Sequence, residues 1–431
     1  MKIIGVMTGN SLDGCDLILT EFLNGEMKDL SFFTQNIPET LQKKITILKK
    51  QIKKRKILSK NLLTDSFFLD VHDGYIRWVA SVINEFLKKE NVKISEIDLI
   101  GFHGQTLDHN PPSVATERLP YTLQMGSGQM LSNLLSIPVV YDFRSDDIFF
   151  NGEGAPLMPP HNAHFAKSLG LKNAFFYNAG NTSNLALVVN GEVVLGFDAG
   201  PFNEFTDYLV RKYKKEPFDK DAFWAKQGTL LPFLFEKLFY QSVKTSGGEN
   251  YLEFSPPKSA DPTLYHLDNL LEIKTEQDFV DTLHTVAYFS GYIAAYALKH
   301  IDDKYEFPDT FILFGGGWYN PISYQAFVNT LNGSGYILEE HKKIFEKIVT
   351  RFKNFPHFIL PTSAKYMEAR LMADLAYHFE KKLPWTNKEL TGVEKPVVLG
   401  IKATPNRTTK YTDYINRASE GWQLVKEANP Q

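Results

Sequence analysis

Cysteine is nearly absent: Cys15 is the single one in 431 residues. A lone thiol closes no intramolecular disulfide, so the fold rests on packing, and the composition is compatible with a reducing cytoplasm. Long apolar runs are missing too. No window approaches the roughly 20 apolar residues that a spanning helix needs. The opening MKIIGVMTG turns at Gly9 before an apolar core of any length develops, so no signal peptide is expected, and the expected setting is cytoplasmic, away from membranes. Charge of one sign is lacking as well. A net charge of −3 gives no overall field to draw nucleic acid. A G-x-x-x-x-G-K-[ST] pattern is absent, which excludes a P-loop nucleotide site.

What is present is apolar and aromatic mass. Hydrophobic residues make up 43%, with 33 Phe and 20 Tyr, enough for two lobes with aromatic-rich cores. Ile3–Met7 reads as a strand, Thr8-Gly9-Asn10-Ser11 as a polar turn carrying on to Asp13 and Asp16, and Leu17–Phe22 as a returning strand. Asn24-Gly25 is a type I′ hairpin signal. A Gly/Ser tip of this kind presents backbone N–H groups and a hydroxyl to an anion; the plainer reading is an ordinary hairpin. Glu39–Leu63 is a basic helix whose lysines read as a solvated face, and Ser66–Lys89 a second amphipathic helix.

Ile97–Phe102 is a buried strand running into His103-Gly104-Gln105-Thr106, and Tyr121–Met125 and Pro138–Phe143 are further strands. Polar groups just past strand ends are where open α/β sheets place ligand contacts. Asp142–Pro160 reads as a loop bearing Arg144, Asp146, Asp147, Glu153 and Gly154; its carboxylates lack calcium-loop spacing.

The opening pattern then returns. Ala174–Asn178, Gly180-Asn181-Thr182, Leu185–Val189, Asn190-Gly191-Glu192 and Val193–Phe197 repeat the order strand, G-N-[S/T] turn, strand, N-G-E hairpin, strand. Two related lobes are expected, each opening with a three-stranded antiparallel unit. Asp198 ends the third strand beside Gly200 and Pro201, a suitable place for a catalytic base; the alternative is that it caps the helix starting near Glu204. Thr310–Phe314 is a strand that stops at Gly315-Gly316-Gly317, and Asn320-Pro321 opens a helix. Three glycines admit a flat ligand such as a nucleoside. Glu368 sits on an otherwise mostly apolar helix, Thr362–Tyr377, as a cleft carboxylate or as a partner of Arg370 or Lys365; Asn406–Gln431 reads as a peripheral extension.

Two hairpin tips for a triphosphate, a glycine turn for a nucleoside and an acid to activate a nucleophile are the parts of a two-lobed actin-like kinase. The chain resembles the anhydro-N-acetylmuramic acid kinase family through MTGNSLDGCD (7–16), GFHGQTLDHNP (101–111), TLQMGSG (122–128), VVYDFRSDDIFFNGEGAPLMP (139–159), NAGNTSN (178–184), GFDAGPFN (196–203), FGGGWYNP (314–321), MEA (367–369) and TG…VLG (391–400).

The resemblance implies an α/β, two-lobed actin-like ATPase fold, a duplicated ribonuclease H-like unit with a cleft between lobes. The first lobe spans 1–125, completed by about 380–405, and the second 126–380. It implies ATP with Mg2+, and cleavage of the 1,6-anhydro ring of a cell-wall amino sugar with phosphorylation at O6. ATP contacts fall on Gly9, Asn10, Ser11, Leu12, Asp13, Gly14, Cys15 and Asp16, on Gly180, Asn181 and Thr182, and on Gly315, Gly316, Gly317 and Asn320, with Asp13 toward the metal. Asp198 is the implied base and Glu368 a second active-site carboxylate; His103, Gln105, Thr106, Arg144, Gly154 and Pro201 fall on sugar-facing motifs. A homodimer is the family's implied state.

Two departures leave the exact sugar open. Phe202 stands where the family has glycine, and Glu153 where it has glutamine. The alternatives are a kinase acting on another sugar, or a catalytically weak nucleotide-binding regulator.

Overall fold

The computed structural model describes every residue except 10–11, 56–58, 114, 116–118, 246, 261, 302, 306–307, 309, 361–365 and 421–431. The expected ATP contacts Asn10 and Ser11, and the ion-pair candidate Lys365, thus lie outside the described residues. The chain divides into two compact units, Met1–His161 with the described residues from Tyr366 on, and Asn162–Lys365. The breaks fall at 161/162 and 365/366 rather than at 125/126 and 380.

The first unit is built on β1 (Lys2–Thr8), β2 (Gly14–Leu23), β3 (Glu26–Asn36), β4 (Leu99–Phe102) and β7 (Val139–Tyr141), ordered β7-β4-β1-β2-β3 and extended beyond β7 by the strand Ile401–Ala403. The β2–β3 turn uses Asn24 at φ 52° and Gly25 at φ 85°, the positive pair that a type I′ turn demands. β4 pairs in parallel with both β1 and β7, which explains why the 126–141 stretch belongs here and not to the second unit. The helix Ser66–Lys89 is N-capped by Asp65, which accepts from the Phe68 amide, and buries one apolar stripe.

On another side of this sheet lies the helix Met367–Glu380. It approaches through a glycine pair: Gly5 and Gly101 are partners across β1 and β4. A Cβ on Gly5 would lie 1.9 Å from the Ala369 carbonyl oxygen, and one on Gly101 1.9 Å from that of Met372. Backbone touches backbone there, and no side chain fits.

Parts of the sequence reading need correction. The polar residues expected just past the strand Ile97–Phe102 include Gln105 and Thr106, which open a further strand: β5 (Gln105–Asn110) pairs antiparallel with β6 (Tyr121–Met125). The stretch expected as a loop holds the helix Ser145–Phe149 and the start of a second helix at Met158. The short strand expected at Val397–Ile401 lies instead at Ile401–Ala403, with Val397 bridging Thr386. Residues 406–420 are not peripheral: Asn416, Ala418 and Ser419 are buried, because side chains of this segment satisfy polar groups in the first unit.

The second unit repeats the plan with β8 (Ala174–Ala179), β9 (Thr182–Val189), β10 (Glu192–Pro201), β11 (Phe311–Phe314) and β12 (His357–Ile359), ordered β10-β9-β8-β11-β12. Asn190 and Gly191, at φ 53° and 79°, again close the hairpin. β8–β9–β10 is an antiparallel meander and β8, β11 and β12 are parallel. Both units thus share one topology, three antiparallel strands followed by parallel ones, which is the duplicated ribonuclease H-like plan of actin-like α/β proteins. The long buried helix Glu276–Tyr296 is started by Thr275 and Asp278 in a capping box.

Candidate active site

In the first unit the parallel strands β1, β4 and β7 deliver their carboxyl ends, and the residues just past them, to one edge of the sheet. Gly9 follows β1, His103 follows β4, and Asp142 to Arg144 follow β7. In the tip after β1, the Gly9 carbonyl accepts from the Leu12 amide at 3.3 Å and from Gln105 Nε2 at 3.3 Å. Gln105 is fully buried, and its Oε1 has no hydrogen-bond partner among the described residues. Leu12 and Cys15, expected among the ATP contacts, are buried members of the hydrophobic core. Alternation along β2 turns Cys15 inward while Gly14 and Asp16 keep partial exposure. Asp13 is exposed, and its Oδ1 accepts from the Gly14 amide. Asp16 Oδ1 accepts from the Thr34 hydroxyl at 2.5 Å.

Glu368 stands in the first turn of the Gly5/Gly101-seated helix. It is not a partner of Arg370, whose guanidinium binds Asp29. Crowding by protein atoms, then the charge of Asp16, push the Glu368 carboxyl up to about 7; Arg144 opposes this and Asp13 adds to it. The side chain still reaches solvent, so water offsets part of the crowding, and the neighbouring carboxylates are the firmer cause. In the free protein, 13C NMR of labelled glutamate is expected to show one carboxyl with a midpoint near 7 that vanishes in Glu368→Gln. A carboxyl raised in the fold costs stability once it ionises, so that variant is also expected to be the more stable one above pH 7 and to lose this advantage below pH 4.5.

His103 and Arg144 form one unit. Arg144 Nε donates to His103 Nε2 at 3.1 Å, and Arg144 Nη1 donates to the Gly154 carbonyl at 2.7 Å. A guanidinium cannot accept, so the His103 proton sits on Nδ1, which donates to the Gly104 carbonyl at 2.9 Å. Burial, then the Arg144 charge, lower its pKa to about 3. His103 therefore stays neutral and fixes Arg144. The Gly154 end is pinned by buried Asp147, whose Oδ1 accepts from the Gly154 amide at 2.6 Å and whose Oδ2 accepts from Thr391 at 2.6 Å. Thr106 lies on β5, within hydrogen-bonding reach of Gln124 Nε2.

In the second unit, Asp198, Asn184, Asn178 and Phe314 occupy one row across β10, β9, β8 and β11. Asp198 does not cap the following helix, which begins at Asn203 after an N-cap at Phe202. Its Oδ2 instead accepts from Ser259 Oγ at 3.1 Å and the Ala260 amide at 2.9 Å. Behind this strap, the buried Lys258 Nζ lies 4.8 Å from the Tyr251 ring centroid, and the Tyr251 hydroxyl donates to the Asp198 carbonyl. Burial, then the charge of Lys299, lower the Lys258 pKa to about 7. The strap Lys258–Ala260 escaped the sequence reading; its only signal was the run Pro256-Pro257 just ahead of it.

The turn after β8 is tied to the start of the next helix. The Gly180 carbonyl accepts from the Asn203 amide, and the Asn181 carbonyl from those of Phe202 and Glu204. Thr182 Oγ1 shares a hydrogen bond with the Tyr265 hydroxyl. Of the three late glycines, Gly315 has φ 95° with the Ala179 carbonyl where its Cβ would stand, and Gly317 abuts the Phe202 ring. A Cβ on Gly316 would meet nothing closer than 3.9 Å, so that backbone is open to a flat ligand. Asn320 spends its Oδ1 on the Ile322 and Ser323 amides as a helix cap. Pro201 ends β10 and is buried.

A sequence model described as anhydro-N-acetylmuramic acid kinase matches residues 1–344. The chain belongs to that family. As a member of the anhydro-N-acetylmuramic acid kinase family it is a phosphotransferase with an alcohol group as acceptor, of the ATP-dependent sugar-kinase kind. Solved structures are similar at low identity. The ROK hexokinase of Thermus thermophilus is 13% identical over 87% of this chain and 99% of its own, with a TM-score of 0.33. A ROK glucokinase of Streptomyces griseus, in complex with glucose and AMPPNP, is 11% identical over 88% and 100%, at 0.35. Component A of the Acidaminococcus fermentans (R)-2-hydroxyglutaryl-CoA dehydratase is 10% identical over 88% and 98%, at 0.42. Family membership rests on the sequence model alone. Among the described residues no helix is long and apolar enough to cross a membrane.

The two departures from the family acquire a structural setting. Phe202 is 1% exposed, stacks edge-on against Trp318 at 5.0 Å and packs on Gly317. Its ring fills the core. Glu153 is buried, with its carboxylate accepting from the Ser113 amide at 3.1 Å and hydroxyl at 2.6 Å.

Proposed function

We propose that this kinase converts 1,6-anhydro-N-acetylmuramic acid, ATP and water to N-acetylmuramic acid 6-phosphate and ADP, in cytoplasmic recycling of cell-wall sugar. The observation that carries the reading is the Asp198 carboxylate, set among the strand ends of the second unit and held by Ser259 and Ala260. Asp198 takes a proton from the water that attacks the anomeric carbon, and O6, released from the anhydro bridge, receives the phosphoryl group. Arg144, fixed by His103 and Gly154, meets the anionic side of the sugar.

In the second unit the Gly180–Thr182 turn serves the phosphates and Gly316 the nucleoside. Asp13 would hold Mg2+ through a hard carboxylate oxygen, with the charge of Asp16 nearby. Bound there, Mg2+ supplies charge neutralisation for phosphoryl transfer.

The buried settings of Phe202 and Glu153 support the family's sugar over a different one. Phe202→Ala is expected to cost about 3 to 5 kcal/mol in urea unfolding, as for a buried phenyl ring, without improving the KM for sugar. The substrate itself is tested by kcat/KM for anhydro-N-acetylmuramic acid against anhydro-N-acetylglucosamine, which lacks the lactyl carboxylate. A clear preference for the former supports the reading, and equal use of both would refute it.

A further inference from the structure

The match to the family's sequence model covers residues 1–344, yet the segment Tyr411–Glu420, beyond it, is tied to the loop that carries Arg144. Arg417 Nε donates to Asp142 Oδ2 at 2.7 Å, while Nη1 and Nη2 donate to Asp146 Oδ1 and Oδ2 at 2.9 and 2.6 Å. The second pair is a bidentate fork, the geometry that orients as well as binds. Asp142 is buried and holds φ 60°, a left-handed conformation that a non-glycine residue adopts only under local constraint. The Ser145 hydroxyl donates to Asp142 and accepts from the Ala418 amide and from Asn416 Nδ2. Asn416 also bonds the Gln124 amide and the Thr122 carbonyl. Asp142, Ser145 and Asp146 bracket Arg144, and the next residue, Asp147, pins Gly154, on which Arg144 rests.

We propose that Tyr411–Glu420 is a clasp and Arg417 a positioning residue, which together fix the Asp142–Gly154 loop and hold the Arg144 guanidinium where the sugar is bound. This rests on the reading that Arg144 meets the sugar. Arg417 touches neither Arg144 nor a reactant; it acts by neutralising the two carboxylates that shape the turn.

The test compares full-length wild type, Arg417→Met and Arg417→Lys, each alone and combined with Arg144→Ala. Arg417→Met is expected to raise the KM for sugar about 10-fold or more, with kcat and the KM for ATP within about twofold, the pattern of lost binding without lost chemistry. Arg417→Lys, which keeps the charge but not the fork, falls between. In the Arg144→Ala background the same substitution is expected to change the sugar KM no further, an outcome that general destabilisation does not give. Hydrogen exchange at the Gly152 and Gly154 amides is expected to quicken in Arg417→Met. Should that variant fail to fold, Ser145→Ala loosens the same clasp more gently and is expected to give the same pattern on a smaller scale. Unchanged KM with unchanged exchange, or an equal KM increase in the Arg144→Ala background, would overturn the clasp. If the wild type does not use the sugar, the functional reading fails and the exchange measurement alone decides the clasp.

Discussion

Asp198→Asn is expected to lower kcat about 10³-fold, within the range that a positioned general base contributes, while moving the unfolding free energy by less than about 1 kcal/mol. The fold loses little because an asparagine oxygen still accepts from Ser259 and Ala260, donors that hold the carboxylate at 3.1 and 2.9 Å. The chemistry loses much because a neutral amide cannot take the proton of water. The KM for ATP is expected to stay within about twofold, since Asp198 addresses the water and not the nucleotide. Stopped or coupled ADP-release assays beside urea unfolding separate the two effects. Turnover close to wild type would remove Asp198 from the role of base, whatever the enzyme's substrate.

The second large effect concerns stability. Gly5→Ala is expected to cost about 3 kcal/mol or more, because its methyl would stand 1.9 Å from the Ala369 carbonyl oxygen, a backbone atom that no rotamer change can move aside. Gly101→Ala meets Met372 in the same way. Relief requires shifting the Met367–Glu380 helix off the sheet, and with it Glu368. A folded Gly5→Ala protein is therefore expected to lose activity beyond its loss of stability, and the glutamate carboxyl near pH 7 is expected to move down as Glu368 leaves Asp16. A urea midpoint equal to wild type would contradict the close approach.

These effects divide along what a local sequence can express. Both Asn-Gly hairpins were legible because the turn chemistry lies in the two residues themselves. Asp198 was legible as a carboxylate at the end of an apolar run. Its strap was not, since Ser259 and Ala260 are 61 and 62 residues away, and nothing in Lys258-Ser259-Ala260 says which strand it will meet. Gly5 looked like one more residue of an apolar strand, because the reason for its lacking a side chain is a helix near the other end of the chain.

Other residues have settings that their motifs did not express. Cys15 stood inside a nucleotide motif, but strand alternation turned it into the core. Asn320 stood beside three glycines, but its oxygen caps a helix. His103 read as a ligand contact, and what the motif did not express is that its neutral ring supports Arg144. Arg417 read as part of a polar extension, because a charged side chain in a sequence looks alike whether it is solvated or matched to buried carboxylates. Composition carried none of that information; only the pairing with Asp142 and Asp146 does.

The central claim is tested most directly by incubating the protein with anhydro-N-acetylmuramic acid, ATP and Mg2+, and following the products by 31P NMR and mass spectrometry. The account predicts one ADP per sugar consumed and a product heavier than the anhydrosugar by one phosphoryl group and one water, phosphorylated at O6. Phosphorylation without the gain of water, or ADP release that does not depend on the sugar, would contradict it.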